Sequence, residues 1–218
     1  MRIIAGRFKG HQISAMSGSN TRPTTDRVRE AWASTVSSIR DDGFVGARVL
    51  DLFAGSGALA LEAISRGASS AWLVDNNERA ISAIQKNLVA LGLSQDKNIK
   101  VLKANALNPS VARRLRGTFD CVFLDPPYDY ARKRIGEVLS TLIEAGLLAK
   151  DCLISYERGV KSAGENRSRV GSSEQGDQSW LSSLDDDWPE SLKMVSCKQY
   201  GISVIEYYLY LPDADEEK

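Results

Sequence analysis

The chain has 218 residues, 43% of them hydrophobic, and a formal net charge of zero at pH 7. This length fits one ordinary domain with additions, and the zero net charge gives no sign that the whole molecule attracts a polyanion. Three widely spaced cysteines and a single histidine, His11, argue against a disulfide framework and a structural zinc site, so we expect no metal. Met1–Arg7 lacks the apolar run of a secretory signal, and no segment approaches the ~20 apolar residues of a membrane span, so we expect a cytoplasmic protein.

Charge is distributed unevenly along the chain. Residues 1–30 carry six arginine or lysine side chains and two carboxylates, whereas the C-terminus is acidic. A basic N-terminal segment on a neutral body favours local contact with phosphates, although a solvated basic face has the same composition.

The N-terminal elements are predicted to be a hairpin and a helix. Residues 2–14 predict a short basic β-hairpin with Gly6 and Gly10 at its turns. Thr24 or Thr25 can cap a helix over residues 26–39. The apolar stripe expected on this helix is Val28, Ala31, Trp32, Val36 and Ile39.

From residue 47 onward, apolar strands alternate with helical segments. The predicted strands are 49–51, 71–75, 99–102, 119–124 and 152–156, and the predicted helices are 58–66, 78–91, 109–115 and 132–145. This alternation predicts βαβ units in an α/β fold with a mostly parallel sheet covered on both faces. Residues 159–191 are rich in Ser, Gly and Asp and predict a long, flexible insertion. Two further runs, 194–197 and 202–211, predict an antiparallel hairpin at one sheet edge.

A glycine turn follows the first predicted strand. Gly55 and Gly57 permit a tight turn and a close approach of the backbone to a ligand. Ligands bind at such strand ends in open α/β sheets, but the turn lacks the full GxGxxG pattern and is also compatible with other nucleotide-binding proteins. Asp51, just before the turn, suits a cationic ligand such as the amino and sulfonium groups of S-adenosylmethionine, and it suits a pyrophosphate poorly.

Two later strand ends extend this predicted cofactor site. Asp75 ends the second strand, where a carboxylate can accept hydrogen bonds from both ribose hydroxyls. Asn105 follows the third strand, where an amide can meet the adenine edge. Either side chain could instead be an ordinary turn residue. The predicted cofactor contacts are Asp51, Phe53, Ala54, Gly55, Ser56, Gly57, Asp75, Asn76, Asn105 and Ala106.

The predicted catalytic loop, Asp125-Pro126-Pro127-Tyr128, follows the fourth strand. Two prolines stiffen the backbone and remove two N–H donors, so the loop presents hydrogen-bond acceptors. The Asp125 carboxylate and the Pro126 carbonyl can hold the hydrogens of an exocyclic amine, and Tyr128 offers a face on which a base can stack. A proline-rich turn is the structural alternative, but the position of the loop downstream of Asp51 and Asp75 favours methyl transfer to an amino nitrogen.

Several segments together resemble the bacterial 16S rRNA guanine-N2 methyltransferases. These segments are residues 2–6, 21–30 (TRPTTDRVRE), 51–59 (DLFAGSGAL), 65–68 (SRGA) and 125–128 (DPPY). The resemblance covers about residues 1–157 and the tail around 200–210. Residues 21–30 are the specific marker, because DPPY is shared with adenine-N6 and other amino methyltransferases.

The resemblance implies a Rossmann-like class I methyltransferase with a seven-stranded sheet and S-adenosylmethionine as methyl donor, which leaves as S-adenosylhomocysteine. It also implies a guanine N2 of 16S rRNA as acceptor, within an assembled or assembling small subunit. Asp51, Gly55 and Gly57 would bind the donor, Asp75 its ribose, and residues 125–128 the target base. Residues 1–45 would form a basic cover for the active site of a methyltransferase domain at 46–218, and we expect a monomer. The implied RNA contacts are Arg22, Thr24, Thr25, Arg27 and Arg29.

Two departures from the family pattern and several rival functions remain. The family usually has Asp where Asn105 stands, and residues 159–191 are longer than in the family. An adenine-N6 methyltransferase is the main alternative, although this chain has little room for a separate target-recognition domain. A glutamine-N5 protein methyltransferase fits the basic N-terminus less well. The DPPY loop argues against a non-catalytic nucleotide- or RNA-binding module and, with Asp51, against a dehydrogenase.

Overall fold

A computed structural model describes residues 1–15, 26–127, 130–159 and 188–212 of the protein. The helices are α1 (Asp26–Ile39), α2 (Ala58–Ser65), α3 (Glu78–Ala90) and α4 (Arg132–Glu144), with a 3₁₀ helix at Pro109–Arg114. The strands are β1 (Arg48–Asp51), β2 (Ser70–Asp75), β3 (Ile99–Lys103), β4 (Phe119–Leu124), β5 (Leu148–Gly159), β6 (Leu192–Tyr200) and β7 (Ser203–Tyr210).

The strands form one seven-stranded sheet in the order β3-β2-β1-β4-β5-β7-β6. The first five run parallel, and β7 pairs antiparallel with both β5 and β6. The predicted α/β fold with an antiparallel C-terminal hairpin is therefore confirmed. The strand order reverses between β1 and β4, which places a ligand crevice at the carboxyl ends of these two strands.

Element boundaries agree with the sequence patterns where the hydrophobic period is clear. Helix α1 spans the predicted residues 26–39. The predicted strand at 152–156 is too short, because β5 extends at both ends through polar residues. The backbone of Glu157 and Arg158 pairs with β7 on one side. No apolar pattern in the sequence predicts a strand at these two residues.

Residues 1–15, here called the N-terminal arm, fold back on themselves without forming a regular ladder. The two halves share one antiparallel bridge, Arg2 to Gln12, and the Ile3 amide donates to the His11 carbonyl at 3.0 Å. The predicted hairpin is thus reduced to a single bridge. Ile3 and Ile13 are buried, so the arm is fixed mainly by packing.

Two hydrophobic cores cover the two faces of the sheet. One contains Ile3, Ile13 and Trp32 together with residues of β1, β2 and α2. The other lies under the 3₁₀ helix and α4. The N-terminal arm and α1 therefore share a core with the sheet, and the division into functional regions 1–45 and 46–218 stays a prediction. None of the helices in the described ranges is long and apolar enough to cross a membrane.

The buried face of α1 is rotated from the predicted stripe. Trp32 and Val36 are buried as expected, whereas Val28, Ala31 and Ile39 are only partly buried. The Trp32 ring packs against Phe123 of β4, with 4.8 Å between ring centroids. Ala33, Thr35 and Arg29 complete the buried face.

Candidate active site

The glycine turn connects β1 to α2 at the crevice. Gly57 caps α2 with a φ of +82°, and a Cβ there would lie 2.9 Å from the Leu73 side chain. Gly55 has a φ of +54°, but a Cβ there would meet nothing within 4 Å. Gly57 is therefore required by packing within the protein, whereas Gly55 borders open space in which a ligand can approach the backbone.

Asp75, at the end of β2, holds the glycine turn in place. Its Oδ2 accepts a hydrogen bond from the Gly55 amide and its Oδ1 accepts one from the Asn77 amide, both at 2.8 Å. Asn76, which lies between Asp75 and Asn77 in the chain, is exposed. A carboxylate oxygen can accept a second hydrogen bond, so Asp75 can fix the turn and still receive ribose hydroxyls.

Asp51 is a carboxylate that the fold buries. Its side chain is 1% exposed, and neither oxygen has a hydrogen-bond partner among the residues that the structure describes. Burial raises the pKa of Asp51 to about 7, with a further rise from the charge of Asp75, although the nearby amides of Ala60 and Phe53 lower it in part. A buried carboxylate in this state is stabilised by a cation. The site therefore fits the cationic end of S-adenosylmethionine.

The segment after β3 borders a partly open cavity of about 160 Å³. Its lining is mixed: Leu52, Ala106 and Val111 offer apolar surface that suits a flat ring, and polar side chains such as Arg134 and Glu137 also line it. Asn105 is exposed, and its Oδ1 accepts a hydrogen bond from the Leu107 amide at 3.0 Å. Its oxygen thus fixes the local turn, and a contact between Asn105 and adenine stays a prediction.

Asp125 lies at the end of β4, half-buried in the wall of a narrow cavity. Other residues lining this cavity are Trp32, Leu59, Ser155, Glu157 and Ile205. Burial raises the pKa of Asp125 well above its usual range, and the negative charges of Glu157 and Asp51 add to this rise. Its neighbour Pro126 is buried and Pro127 is exposed.

Some residues near the candidate site were not predicted from the sequence. Ser155 and Glu157 alternate on β5 and reach the cavity beside Asp125. Residues two apart on a strand point to the same face of the sheet, so the spacing of Ser155 and Glu157 could have identified them from the sequence. The centroid of the Tyr130 ring, two residues after the predicted catalytic loop, lies 6.1 Å from that of Phe53, which begins the glycine turn. Tyr128 lies outside the described residues.

The predicted RNA contacts divide into three groups. Arg22, Thr24 and Thr25 lie outside the described residues, and Arg27 is exposed on α1. The prediction for Arg29 is wrong, because its side chain is fully buried. The Arg29 guanidinium donates to Asp26 Oδ1 at 2.6 Å and to the Arg2 carbonyl at 2.8 Å, so it joins α1 to the arm. Across the described ranges, no cluster of three His, Cys, Asp or Glu side chains could hold a metal.

The fold and this crevice define a class of protein. An antiparallel β7 between β5 and β6, next to a parallel sheet with its glycine turn after β1, characterises Rossmann-like class I S-adenosylmethionine-dependent methyltransferases. A solved structure with this fold is a putative methyltransferase, yhhF, from Escherichia coli. It superposes with a TM-score of 0.71 at 27% identity, covering 97% of this chain and 98% of that one.

Sequence comparison identifies the family within this class. The chain belongs to the family described as conserved hypothetical protein 95, whose family model matches residues 1–176. It is 37% identical over 157 residues to the putative rRNA methyltransferase YlbH of Bacillus subtilis, covering 72% of this chain and 82% of that protein. It is 35% identical over 162 residues to ribosomal RNA small subunit methyltransferase D of Escherichia coli, covering 74% and 76%.

Proposed function

We propose that this protein transfers a methyl group from S-adenosylmethionine to the exocyclic N2 amine of a guanine in 16S rRNA. The observation that carries the proposal is the half-buried Asp125 carboxylate, placed at the end of β4 and followed by two prolines that lack N–H groups. Relatives named as a putative rRNA methyltransferase and as ribosomal RNA small subunit methyltransferase D support ribosomal RNA as the acceptor. We further propose that the enzyme acts as a cytoplasmic monomer on an assembled or assembling small subunit.

The site residues divide the work of binding the donor. Asp51 would meet its cationic end, the backbone at Gly55 would pass close to it, and Asp75 would receive its ribose hydroxyls. When bound, the donor supplies an electrophilic methyl group on a sulfonium. A positive ligand beside Asp51 favours the ionised carboxylate, because opposite charges stabilise each other at a buried site.

The acceptor side of the reaction depends on Asp125 and the loop that follows it. The lone pair of an exocyclic base amine is delocalised into the ring, which makes the amine a poor nucleophile. Two acceptors, the Asp125 carboxylate and the Pro126 carbonyl, would hold its hydrogens and direct the lone pair toward the methyl group. They would also stabilise the positive charge that develops on the nitrogen. Tyr128 would stack on the base.

Basic residues near the N-terminus would bind the RNA backbone. Arg7, Lys9 and Arg27 are exposed. Phosphate contacts of this kind position a nucleic acid without reading its sequence. Arg29 is left out of this surface because it is buried. Arg22, Thr24 and Thr25 stay proposed contacts on the strength of the family resemblance.

The test is labelled methyl transfer to small subunits that lack the modification, followed by mapping of the labelled nucleotide. Asp125→Ala should lower the rate by about 10² to 10³ or more, because it removes a positioned acceptor. The Asp125→Ala variant should keep its affinity for S-adenosylhomocysteine. Asp41→Ala, which removes an exposed carboxylate distant in sequence from the loop, is the matched control and should transfer at the wild-type rate.

Label on an adenine amine would replace the proposal with the adenine-N6 alternative. Absence of label from any RNA, with S-adenosylhomocysteine still bound, would refute rRNA as the substrate. An Asp125→Ala variant that transfers at the wild-type rate would refute the proposed role of the loop.

A further inference from the structure

Asn87 is a buried amide that joins the glycine turn to the N-terminal arm. It lies on α3 and is 1% exposed. Its Nδ2 donates to the Ser56 carbonyl at 2.8 Å and to the Ser14 carbonyl at 3.1 Å, and its Oδ1 accepts from the Ser14 amide at 2.7 Å. All three bonds leave α3 for other parts of the chain. Asparagine is a poor residue for a helix interior, so these tertiary bonds account for its presence.

The bond to Ser56 completes the restraint of the glycine turn. Asp75 holds the Gly55 amide, and the Gly57 amide donates to the Ala54 carbonyl at 2.6 Å. Asn87 holds the Ser56 carbonyl that lies between these two amides. The Ala54–Gly55 and Ser56–Gly57 peptide groups of the turn are therefore held by different parts of the protein, and Asn87 supplies the hydrogen bond that comes from α3.

The arm meets the turn a second time at Met1. The Ser56 hydroxyl lies 3.8 Å from the Met1 sulfur, which also lies 3.7 Å from the Arg29 guanidinium. Met1 is paired with the other end of the arm, because the Ile13 amide donates to the Met1 carbonyl at 3.0 Å. One end of the arm thus contacts the glycine turn directly through Met1, and the other end is joined to it indirectly through Asn87.

We propose that Asn87 is a positioning residue that sets the donor-binding turn and the N-terminal arm relative to each other. Through it, donor binding at the turn and RNA binding by the arm, where Arg7 and Lys9 are exposed, are coupled. The RNA part of this inference rests on the proposed function, whereas the effect on the turn does not. Because coupling between two ligands is reciprocal, donor and RNA should raise each other's affinity by the same factor.

Asn87→Asp is the sharpest variant, since it keeps the shape and the acceptor but removes both donated bonds. We expect calorimetry to show S-adenosylhomocysteine binding weakened about tenfold to hundredfold, because the Ser56 and Ser14 carbonyls lose their donor and face an oxygen. Asn98→Asp makes the same change at an exposed position and should bind like wild type. Leu88→Ala, a core truncation on the same helix, should lower stability without weakening binding.

Ser14→Pro tests the arm side without altering Asn87 or the turn. It removes the amide that donates to Asn87 Oδ1, at an exposed residue. In wild type, S-adenosylhomocysteine should slow hydrogen exchange of the amides in residues 1–15. This protection should be lost in Ser14→Pro and Asn87→Asp, and the mutual enhancement of RNA and S-adenosylhomocysteine affinity should fall toward one.

Two results would overturn the inference while leaving the proposed function intact. One is a folded Asn87→Asp protein that binds S-adenosylhomocysteine within twofold of wild type. The other is equal weakening in Asn87→Asp and Leu88→Ala, which would mean that lost stability alone is responsible. Methylation of a different base by the wild-type protein would overturn the proposed function and leave the effect of Asn87 on the turn unaffected.

Discussion

Asp51 is predicted to bind the donor, and its burial lowers the free energy of unfolding of the ligand-free protein. Its pKa is raised to about 7 by burial, so the folded state holds a proton that the unfolded state has lost between about pH 4 and pH 7. The free energy of unfolding therefore falls as the pH rises through this range, because the folded state binds more protons. Above about pH 7 the fold therefore keeps an ionised carboxylate buried, although burial destabilises its charge.

We therefore predict that Asp51→Asn stabilises the empty protein at pH 8 by up to about 4 kcal/mol, and by less at pH 5. The same variant should lose affinity for S-adenosylmethionine. Urea unfolding at both pH values and calorimetry measure the two effects. Asp41→Asn, at an exposed position, should change neither. An Asp51→Asn protein that is less stable than wild type at pH 8 would show that Asp51 makes favourable contacts in the folded state.

The two glycines of the turn should respond differently to alanine. Gly57→Ala combines a φ of +82° with a Cβ 2.9 Å from the buried Leu73, so we expect a loss of about 2–4 kcal/mol. Gly55→Ala has only the backbone strain of a φ of +54°, about 1–2 kcal/mol, but its Cβ enters the space proposed for the donor. Urea unfolding should rank Gly57→Ala as the less stable, and calorimetry should show weakened donor binding for Gly55→Ala. Equal losses of stability would contradict this account.

The positions of site residues were predictable where a strand end placed them, and they were unpredictable where burial decided them. Asp51 and Asp75 each end a strand, Asp125 directly follows one, and the structure brings these positions to one edge of the sheet. Arg29 was expected to contact RNA from the surface because the family resemblance implied it, and arginine is rarely fully buried. Its burial depends on Asp26 and on the Arg2 carbonyl of the arm, and no local pattern around residue 29 reveals the arm contact.

At the scale of elements, the start of α4 is anchored to the C-terminal hairpin. Arg132 donates to Glu206 Oε2 and to the Tyr208 hydroxyl, each at 2.6 Å, and lies 4.4 Å from the centre of the Trp188 ring. Burial alone would raise the pKa of Glu206, but the charge and hydrogen bonds of Arg132, with those of Arg158 and Tyr208, lower it. Since α4 begins four residues after Tyr128, the last residue of the predicted catalytic loop, this anchor fixes the start of the helix that follows that loop.

We predict that Arg132→Met lowers the free energy of unfolding by about 2–4 kcal/mol, because it leaves the buried Glu206 with one cation fewer. Methyl transfer should also fall, since the loop before α4 loses its anchor. Arg134→Met, two residues further along α4, removes an exposed arginine from a surface ion pair and should cost less than about 1 kcal/mol. Similar losses in the two variants, measured by urea unfolding, would argue against the anchor.

Element types followed from hydrophobic period, but strand lengths and pairing did not. The 26–39 helix and the 119–124 strand have the predicted bounds because each carries a clear apolar pattern. The β5 strand continues through Glu157 and Arg158, since its backbone pairs with β7 and does not need apolar side chains there. Pairing between distant segments is a tertiary property, which explains why the strand was predicted too short.

At the scale of the whole molecule, the N-terminal arm is part of the main core. Glu62 of α2 is fully buried and accepts hydrogen bonds from the amides of Ile4 and Ala5 at 2.8 and 3.0 Å. Ile3 is 0% exposed within the core that also contains Trp32 and residues of the sheet. The arm and the sheet should therefore unfold together.

We predict that Ile3→Ala destabilises the entire protein by about 2–5 kcal/mol and that unfolding stays a single transition. Ile4→Ala, at the adjacent, partly exposed position, should cost less. Circular dichroism and tryptophan fluorescence in urea should give coincident curves for both variants. A separate early transition, with the main one unmoved by Ile3→Ala, would instead indicate that residues 1–45 form an independent unit.

The sequence by itself determined the α/β class, the order of strands and helices along the chain, and the acidic strand ends that point to a methyltransferase. These features are local, because period, glycine turns and strand-end polar residues are set by neighbours along the chain. Only the tertiary structure decided that Arg29 is buried, that Asn87 joins the glycine turn to the arm, and that Glu157 lies beside Asp125. Each of these depends on contacts between segments far apart in sequence, whose free energy exists only once the sheet and the arm have packed together.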